Sequence, residues 1–131
     1  MPSRRDFLAT LGAAAFVPIR LPGGGAGPHP TPRPGITAAK VATDEQLAGQ
    51  PEAQKVFALV REIPEVMDGI RCHCGCAEQD DHYSLLSCFE VPDPMGKQCL
   101  ICQGHARLVH RLHGAGKTLD EIRRGVDARY G

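Results

Sequence analysis

The chain has 131 residues, six cysteines, no tryptophan and a formal net charge of zero. This length supports one small domain. Because the chain has few aromatic residues, its core is expected to be marginally stable without a bound metal ion or disulfide bonds. Acidic residues concentrate between positions 62 and 93 and basic residues between 97 and 129, which predicts a polarised surface and excludes a nucleic-acid binder.

The first 27 residues have the pattern of an export signal. Arg4 and Arg5 directly precede an apolar stretch, Phe7 to Val17, that is too short to span a bilayer. The pattern predicts export by the twin-arginine route to the periplasm or to the outer face of the cytoplasmic membrane. Contact with the membrane is then expected only through an uncleaved signal segment. Because this route carries folded proteins, it favours a metal site that is loaded before export.

A linker is predicted after the signal segment. The stretch from Leu21 to Thr43 is rich in glycine and proline and has too few apolar residues to form a packed core. We therefore expect three regions: a signal segment at 1–27, a disordered Gly/Pro-rich linker at 28–50, and a cysteine-rich helical domain at 51–131.

The last of these regions is predicted to be mainly helical. Apolar periodicity, prolines at first turns and a capping box indicate four helical segments, from Pro51 to Ile63, from Glu65 to Ile70, from Cys99 to Gly114 and from Thr118 to Tyr130. The stretch from Arg71 to Gly96 has little periodicity and several proline and glycine breakers, so it is expected to form an irregular loop around the cysteines.

The cysteines predict thiol chemistry. Cys72, Cys74 and Cys76 alternate, so in an extended run their side chains point to one side while His73 points away. Cys-x-Cys and Cys-x-x-Cys spacings suit Cu(I), Zn(II) or an iron–sulfur centre, and a helix N-terminus at Cys99 and Cys102 favours thiolates there. The spacing alone leaves metal binding, thiol–disulfide exchange and structural disulfides open.

Two of the six histidines are candidate auxiliary ligands. His105 follows Cys102 by three residues and lies on the same side of the predicted helix, and His82 lies in the loop, where it either binds an ion or orients the backbone. No role is expected for His29 in the linker, and the remaining three, His73, His110 and His113, are expected to be exposed.

Several of these motifs together resemble a known family. The runs that carry the resemblance are Arg71 to Cys76, His82 to Phe89, Cys99 to Cys102, Gly116 to Arg123 and Arg129 to Tyr130. Over Pro51 to Gly131 the chain resembles the exported bacterial proteins named for a Pro-Cys-Tyr-Cys-Gly-Cys (PCYCGC) motif, also called the CYCXC (seleno)protein family. Arg71 replaces the proline of that motif and His73 replaces its tyrosine, whereas every cysteine is kept. The selenoprotein label implies redox or soft-metal chemistry rather than inert bridging.

A second resemblance covers only the tail. The segment from Cys99 to Gly131 is similar to the helical thioreductase of cytochrome c maturation, whose Cys-x-x-Cys pair handles apocytochrome thiols. This similarity implies a thiol–disulfide oxidoreductase as an alternative function.

Taken together, these patterns predict an exported protein that binds a soft transition metal, Cu(I) or Zn(II), for storage or transfer, with an iron–sulfur centre ranked behind these ions. The predicted ligands are Cys72, Cys74, Cys76, Cys88, Cys99 and Cys102, with His82 and His105 as auxiliary ligands. The partner is expected to be a metal donor or acceptor protein, or a thiol-redox partner. The alternatives are the oxidoreductase and a disulfide-bonded interaction domain. No Ser-His-Asp set or phosphate-binding glycine loop is identified, and enzymatic activity stays open.

Overall fold

A computed structural model describes residues 28–75 and 81–131. Its elements are four α-helices, α1 (Pro51–Glu62), α2 (Pro64–Asp68), α3 (Leu100–Gly114) and α4 (Leu119–Tyr130), and two 3₁₀ helices at Leu86–Phe89 and Met95–Lys97. The described residues form no strand, and no helix among them is long and apolar enough to cross a membrane. The predicted mainly helical fold with an irregular cysteine-rich loop is confirmed. The predicted signal segment lies outside the described residues.

The helices begin where the sequence supplies a starting signal. Pro51 and Pro64 occupy the first positions of α1 and α2, where the missing N–H of proline breaks no hydrogen bond. At α4, the Glu121 backbone N–H donates to Thr118 Oγ1 at 3.3 Å, and the Thr118 N–H donates to Glu121 Oε1 at 3.1 Å. This reciprocal arrangement is the predicted capping box.

The core lies between α1, α3 and α4 and extends under the loop that joins α2 to α3. Phe57 of α1 meets Phe89 of the first 3₁₀ helix edge to face, with ring centroids 4.9 Å apart, and thereby holds the loop against α1. His110 of α3, predicted to be exposed, instead hydrogen-bonds to Glu62 of α1. Other buried apolar residues in this core are Val56, Val60, Met67, Leu85, Leu86, Val109, Ile122 and Val126.

Residues 28–50 differ from the predicted disordered linker because they pack on the helical domain. Val41, Ala42 and Leu47 are buried in the core. The Ala42 N–H donates to the Phe89 carbonyl at 3.1 Å, and the Val91 N–H donates to the Lys40 carbonyl at 2.8 Å. A few apolar side chains and a short backbone pairing therefore fix a segment whose average composition resembles a linker.

The buried side chain of Asp68 binds residues 28–50 to the helical domain. The Arg33 backbone N–H donates to the Asp68 carboxylate at 2.8 Å, and the Arg33 guanidinium Nη2 donates to Oδ1 of the same carboxylate at 2.8 Å. Ser84 Oγ also donates to Oδ1, at 2.7 Å. The guanidinium also lies over the Tyr83 ring, 4.4 Å from its centroid. Burial raises the pKa of Asp68, but the hydrogen bonds from Arg33 and Ser84 outweigh it, so the net shift is downward.

Candidate metal centre

Three cysteine sulfurs meet in what we call the thiol triangle, formed by Cys72, Cys74 and Cys102. The Sγ atoms of Cys72 and Cys74 are 3.2 Å apart, those of Cys72 and Cys102 are 3.2 Å apart, and those of Cys74 and Cys102 are 3.4 Å apart. Cys72 and Cys102 are buried and Cys74 is partly exposed. The three sulfurs are close enough to one another to hold a single metal ion.

Two separate parts of the chain supply the thiol triangle. Cys72 and Cys74 follow α2, and their loop is fixed at its base by a hydrogen bond of 2.8 Å from the Leu85 N–H to the Ile70 carbonyl. Gly75 then has φ of +87°, a backbone conformation that residues with a Cβ rarely adopt. Cys102 comes from the first turn of α3, so the triangle closes only when α3 packs against the loop.

Cys88 lies near the thiol triangle but is not one of its three sulfurs. It is buried in the first 3₁₀ helix. His82 Nδ1 lies 3.5 Å from Cys88 Sγ, which puts this predicted auxiliary ligand beside Cys88 and outside the thiol triangle.

Cys99 has a different position. It is the N-cap residue of α3, and its Sγ accepts a hydrogen bond from the Cys102 N–H at 3.4 Å. Its sulfur therefore orients the first turn of α3, and it is not one of the three sulfurs of the triangle. Cys76, the sixth predicted ligand, lies outside the described residues. None of the five described cysteines is in a disulfide.

The protonation pattern of the thiols is uneven. Hydrogen bonds from the thiols of Cys102 and Cys88 lower the pKa of Cys72 and outweigh the opposing effect of burial. The pKa of Cys102 is raised, first by its hydrogen bond to Cys72, and the pKa of Cys88 is raised, first by its hydrogen bond to Cys102 and then by that to Cys72. The upward shift of the Cys102 pKa is opposite to the one expected from its position at the helix N-terminus.

His105 lies beside the thiol triangle but uses both ring nitrogens elsewhere. Its Nδ1 donates to the Ile101 carbonyl at 2.8 Å, and its Nε2 accepts from the His73 backbone N–H at 3.3 Å. Burial lowers the pKa of His105. Its ring stacks on Tyr130 with centroids 3.9 Å apart. His105 is thus placed to hold the backbone between the two loop cysteines.

Sequence reasoning missed the role of two other histidines. His29 and His73, predicted to have no role and to be exposed, place their Nε2 atoms 2.9 Å and 3.1 Å from the same Asp127 oxygen. The Arg71 N–H also donates to His29 Nδ1 at 3.0 Å. No sequence spacing signals this contact, since His29 and Asp127 are 98 residues apart in the chain. Together these bonds fasten the backbone on both sides of Cys72.

Comparison with known proteins agrees with the resemblance drawn from the motifs. Residues 37–131 match a family described as a protein of unknown function with PCYCGC motif. The chain belongs to this family. No curated protein and no solved structure matches the chain. At the position of the family's motif, Cys72 and Cys74 are thiol-triangle cysteines, and His73 occupies the tyrosine position between them. The matched region begins within the packed segment that precedes α1, as expected if that segment is part of the domain.

Proposed function

We propose that this protein binds one soft transition metal ion, Zn(II) or Cu(I), at the thiol triangle, and that it stores the ion or passes it to a partner. The observation that carries the proposal is the mutual contact of three sulfurs from two separate parts of the chain, all within 3.4 Å. Thiolates are the preferred protein ligands of soft ions. His73, His105 and Asp127 support the site by holding the loop backbone rather than by contacting the ion.

The dimensions of the triangle bear on the choice of ion. Sulfurs separated by 3.2 to 3.4 Å lie about 1.9 Å from their common centre, whereas Zn–S bonds are about 2.3 Å long. Cys72, Cys74 and Cys102 would hold such an ion with their three thiolates if their sulfurs moved slightly apart. Zn(II) prefers four ligands and would need one from outside the triangle, while Cu(I) needs only the triangle. Sulfurs in mutual contact leave room for one ion and argue against an iron–sulfur cluster.

Transfer of the ion requires a route to a partner protein. Cys74 and Cys99 are partly exposed at the edge of the cluster, and the neighbouring Leu100 and Ile101 are 78% and 46% exposed. Exposed apolar side chains at the edge of the metal site suit docking of a metal donor or acceptor protein. We therefore place the route of transfer at the N-terminal end of α3.

The direct test is native mass spectrometry of the reduced full chain after addition of one equivalent of Zn(II) or, anaerobically, Cu(I). One ion per chain is expected, and the Cys102→Ser variant should lose it. A chain that stays metal-free while its thiols remain reduced would defeat the proposal.

Export by the twin-arginine route is part of the same proposal and rests on Arg4 and Arg5 before the apolar stretch. Replacing both arginines by lysine should leave the protein in the cytoplasmic fraction of expressing bacteria. Unchanged recovery from the periplasmic or membrane fraction would remove export by this route from the proposal.

Thiol–disulfide exchange is the second candidate function. Cys72 and Cys102 have Sγ atoms 3.2 Å apart, so a small movement would bring them to the disulfide bond length of about 2.0 Å. An exchanger needs a pair that cycles at an accessible potential. Titration of the metal-free protein in glutathione buffers, read by thiol labelling, distinguishes this function. A pair that becomes half oxidised within the glutathione range supports exchange, and thiols that stay reduced throughout favour metal binding alone.

A further inference from the structure

A basic cleft opens between α3 and α4, outside the thiol triangle. Its volume is about 280 Å³. Three arginines, two glycines, a leucine and a tyrosine line it: Gly104, Arg107, Leu108, Arg111, Gly125, Arg129 and Tyr130. The cleft therefore combines a cationic rim with two apolar walls.

The glycines are required for the shape of the cleft. A Cβ at Gly104 would overlap the Tyr130 hydroxyl, and a Cβ at Gly125 would lie 2.8 Å from Leu112 Cδ1. Because Gly104 has no side chain, the Tyr130 ring can lie close to α3 and stack on His105. Tyr130 thus forms one wall of the cleft and also contacts the histidine that supports the metal loop.

The charges of the cleft are poorly balanced by the protein. Arg107 Nη2 is 3.9 Å from Glu52 Oε2, a contact between two exposed side chains that contributes little. Among residues 28–75 and 81–131, neither Arg111 nor Arg129 forms an ion pair with a carboxylate. Like charges gathered around one cavity repel each other, and an anion bound between them relieves this repulsion.

We infer that this cleft binds a small multivalent oxyanion, a phosphate or a polycarboxylate. Guanidinium groups bind both in bidentate geometry, and the volume suits a ligand of that size better than a large cofactor. Tyr130 and Leu108 offer apolar contact to the carbon atoms of an organic acid, whereas inorganic phosphate uses only the arginines. The site is separate from the proposed metal centre and does not depend on a bound metal.

The test is a nuclear magnetic resonance titration of the reduced, metal-free full chain with inorganic phosphate and, separately, with citrate, at constant ionic strength. Saturable shifts of amides in α3 and α4 around the cleft are expected. Loss of one charged hydrogen-bond donor should weaken binding about tenfold in each of Arg111→Gln and Arg129→Gln. Arg124→Gln removes an exposed arginine of α4 that does not line the cleft, and should change affinity by less than about twofold.

Comparing citrate with inorganic phosphate distinguishes a polycarboxylate site from a phosphate site. Tighter binding of citrate than of phosphate indicates a carboxylate site that uses the Tyr130 and Leu108 walls, and the reverse order indicates a phosphate site. Absence of saturation with either ligand up to about 20 mM would overturn the inference. An equal loss of affinity in Arg124→Gln and Arg129→Gln would also overturn it, because this result would show that the basic surface attracts anions without a specific site. Folding of each variant is checked by circular dichroism.

Discussion

Replacing single cysteines by serine tests which sulfurs hold the ion. Cys72 contacts two sulfurs at 3.2 Å and is buried, so we expect Cys72→Ser to have the largest effect on metal affinity. A hydroxyl has nearly the shape of a thiol but is a poor ligand for a soft ion. Loss of an outer-shell partner weakens metal binding by about 10- to 100-fold, so loss of a direct ligand should exceed about 100-fold, equivalent to more than about 2.7 kcal/mol.

Cys99→Ser is the matched control. The Cys99 side chain caps α3, and serine is among the best N-cap residues, so this variant should keep the stability of the domain and change metal affinity by less than about threefold. Affinities are measured by competition with a chromophoric chelator under anaerobic conditions, and folding is measured by urea titration. Equal losses in Cys72→Ser and Cys99→Ser, with both variants folded, would refute the assignment of the site to the thiol triangle.

Three further predictions concern the fold that holds the site. Asp68→Asn should lower the free energy of unfolding in urea by about 2 kcal/mol at neutral pH. Because folding lowers the pKa of Asp68, its contribution is fully present above about pH 4 and declines progressively as the pH falls through the lowered pKa of the folded state. A loss at about pH 3 as large as that at neutral pH would contradict the ion-pair explanation. Gly96→Ala would place a Cβ 2.5 Å from Phe89 Cε1 and should lower Tm by at least about 4 °C in a thermal melt, whereas Gly114→Ala meets open space and should not. Thr118→Ala removes the capping box and should cost about 1 kcal/mol in the same urea assay, and no loss would argue against that cap.

The helices were predictable because their signals are local. Proline at the first turns of α1 and α2 and the capping box at Thr118 act within a few residues of where they stand in the sequence. The packing of residues 28–50 was not predictable in the same way. It depends on Val41 and Leu47 reaching a core formed by residues far along the chain, and glycine and proline content does not report such contacts.

At the metal site too, local contacts were predictable from the sequence and long-range contacts were not. Alternating cysteines predicted that Cys72 and Cys74 point to one side, and the structure brings their sulfurs together with that of Cys102. Sequence spacing did not separate the capping role of Cys99 from the central position of Cys102, because both lie at the start of one helix. The histidine contacts to Asp127 join parts of the chain that become neighbours only after folding, so no spacing rule could reveal them.

X-ray absorption spectroscopy at the metal edge, on the reduced protein loaded with one equivalent of Zn(II), tests the proposed metal centre most directly. We expect a coordination shell of sulfur alone, at about 2.3 Å, with three or four scatterers. A shell dominated by nitrogen or oxygen, at about 2.0 Å, would contradict metal binding at the thiol triangle.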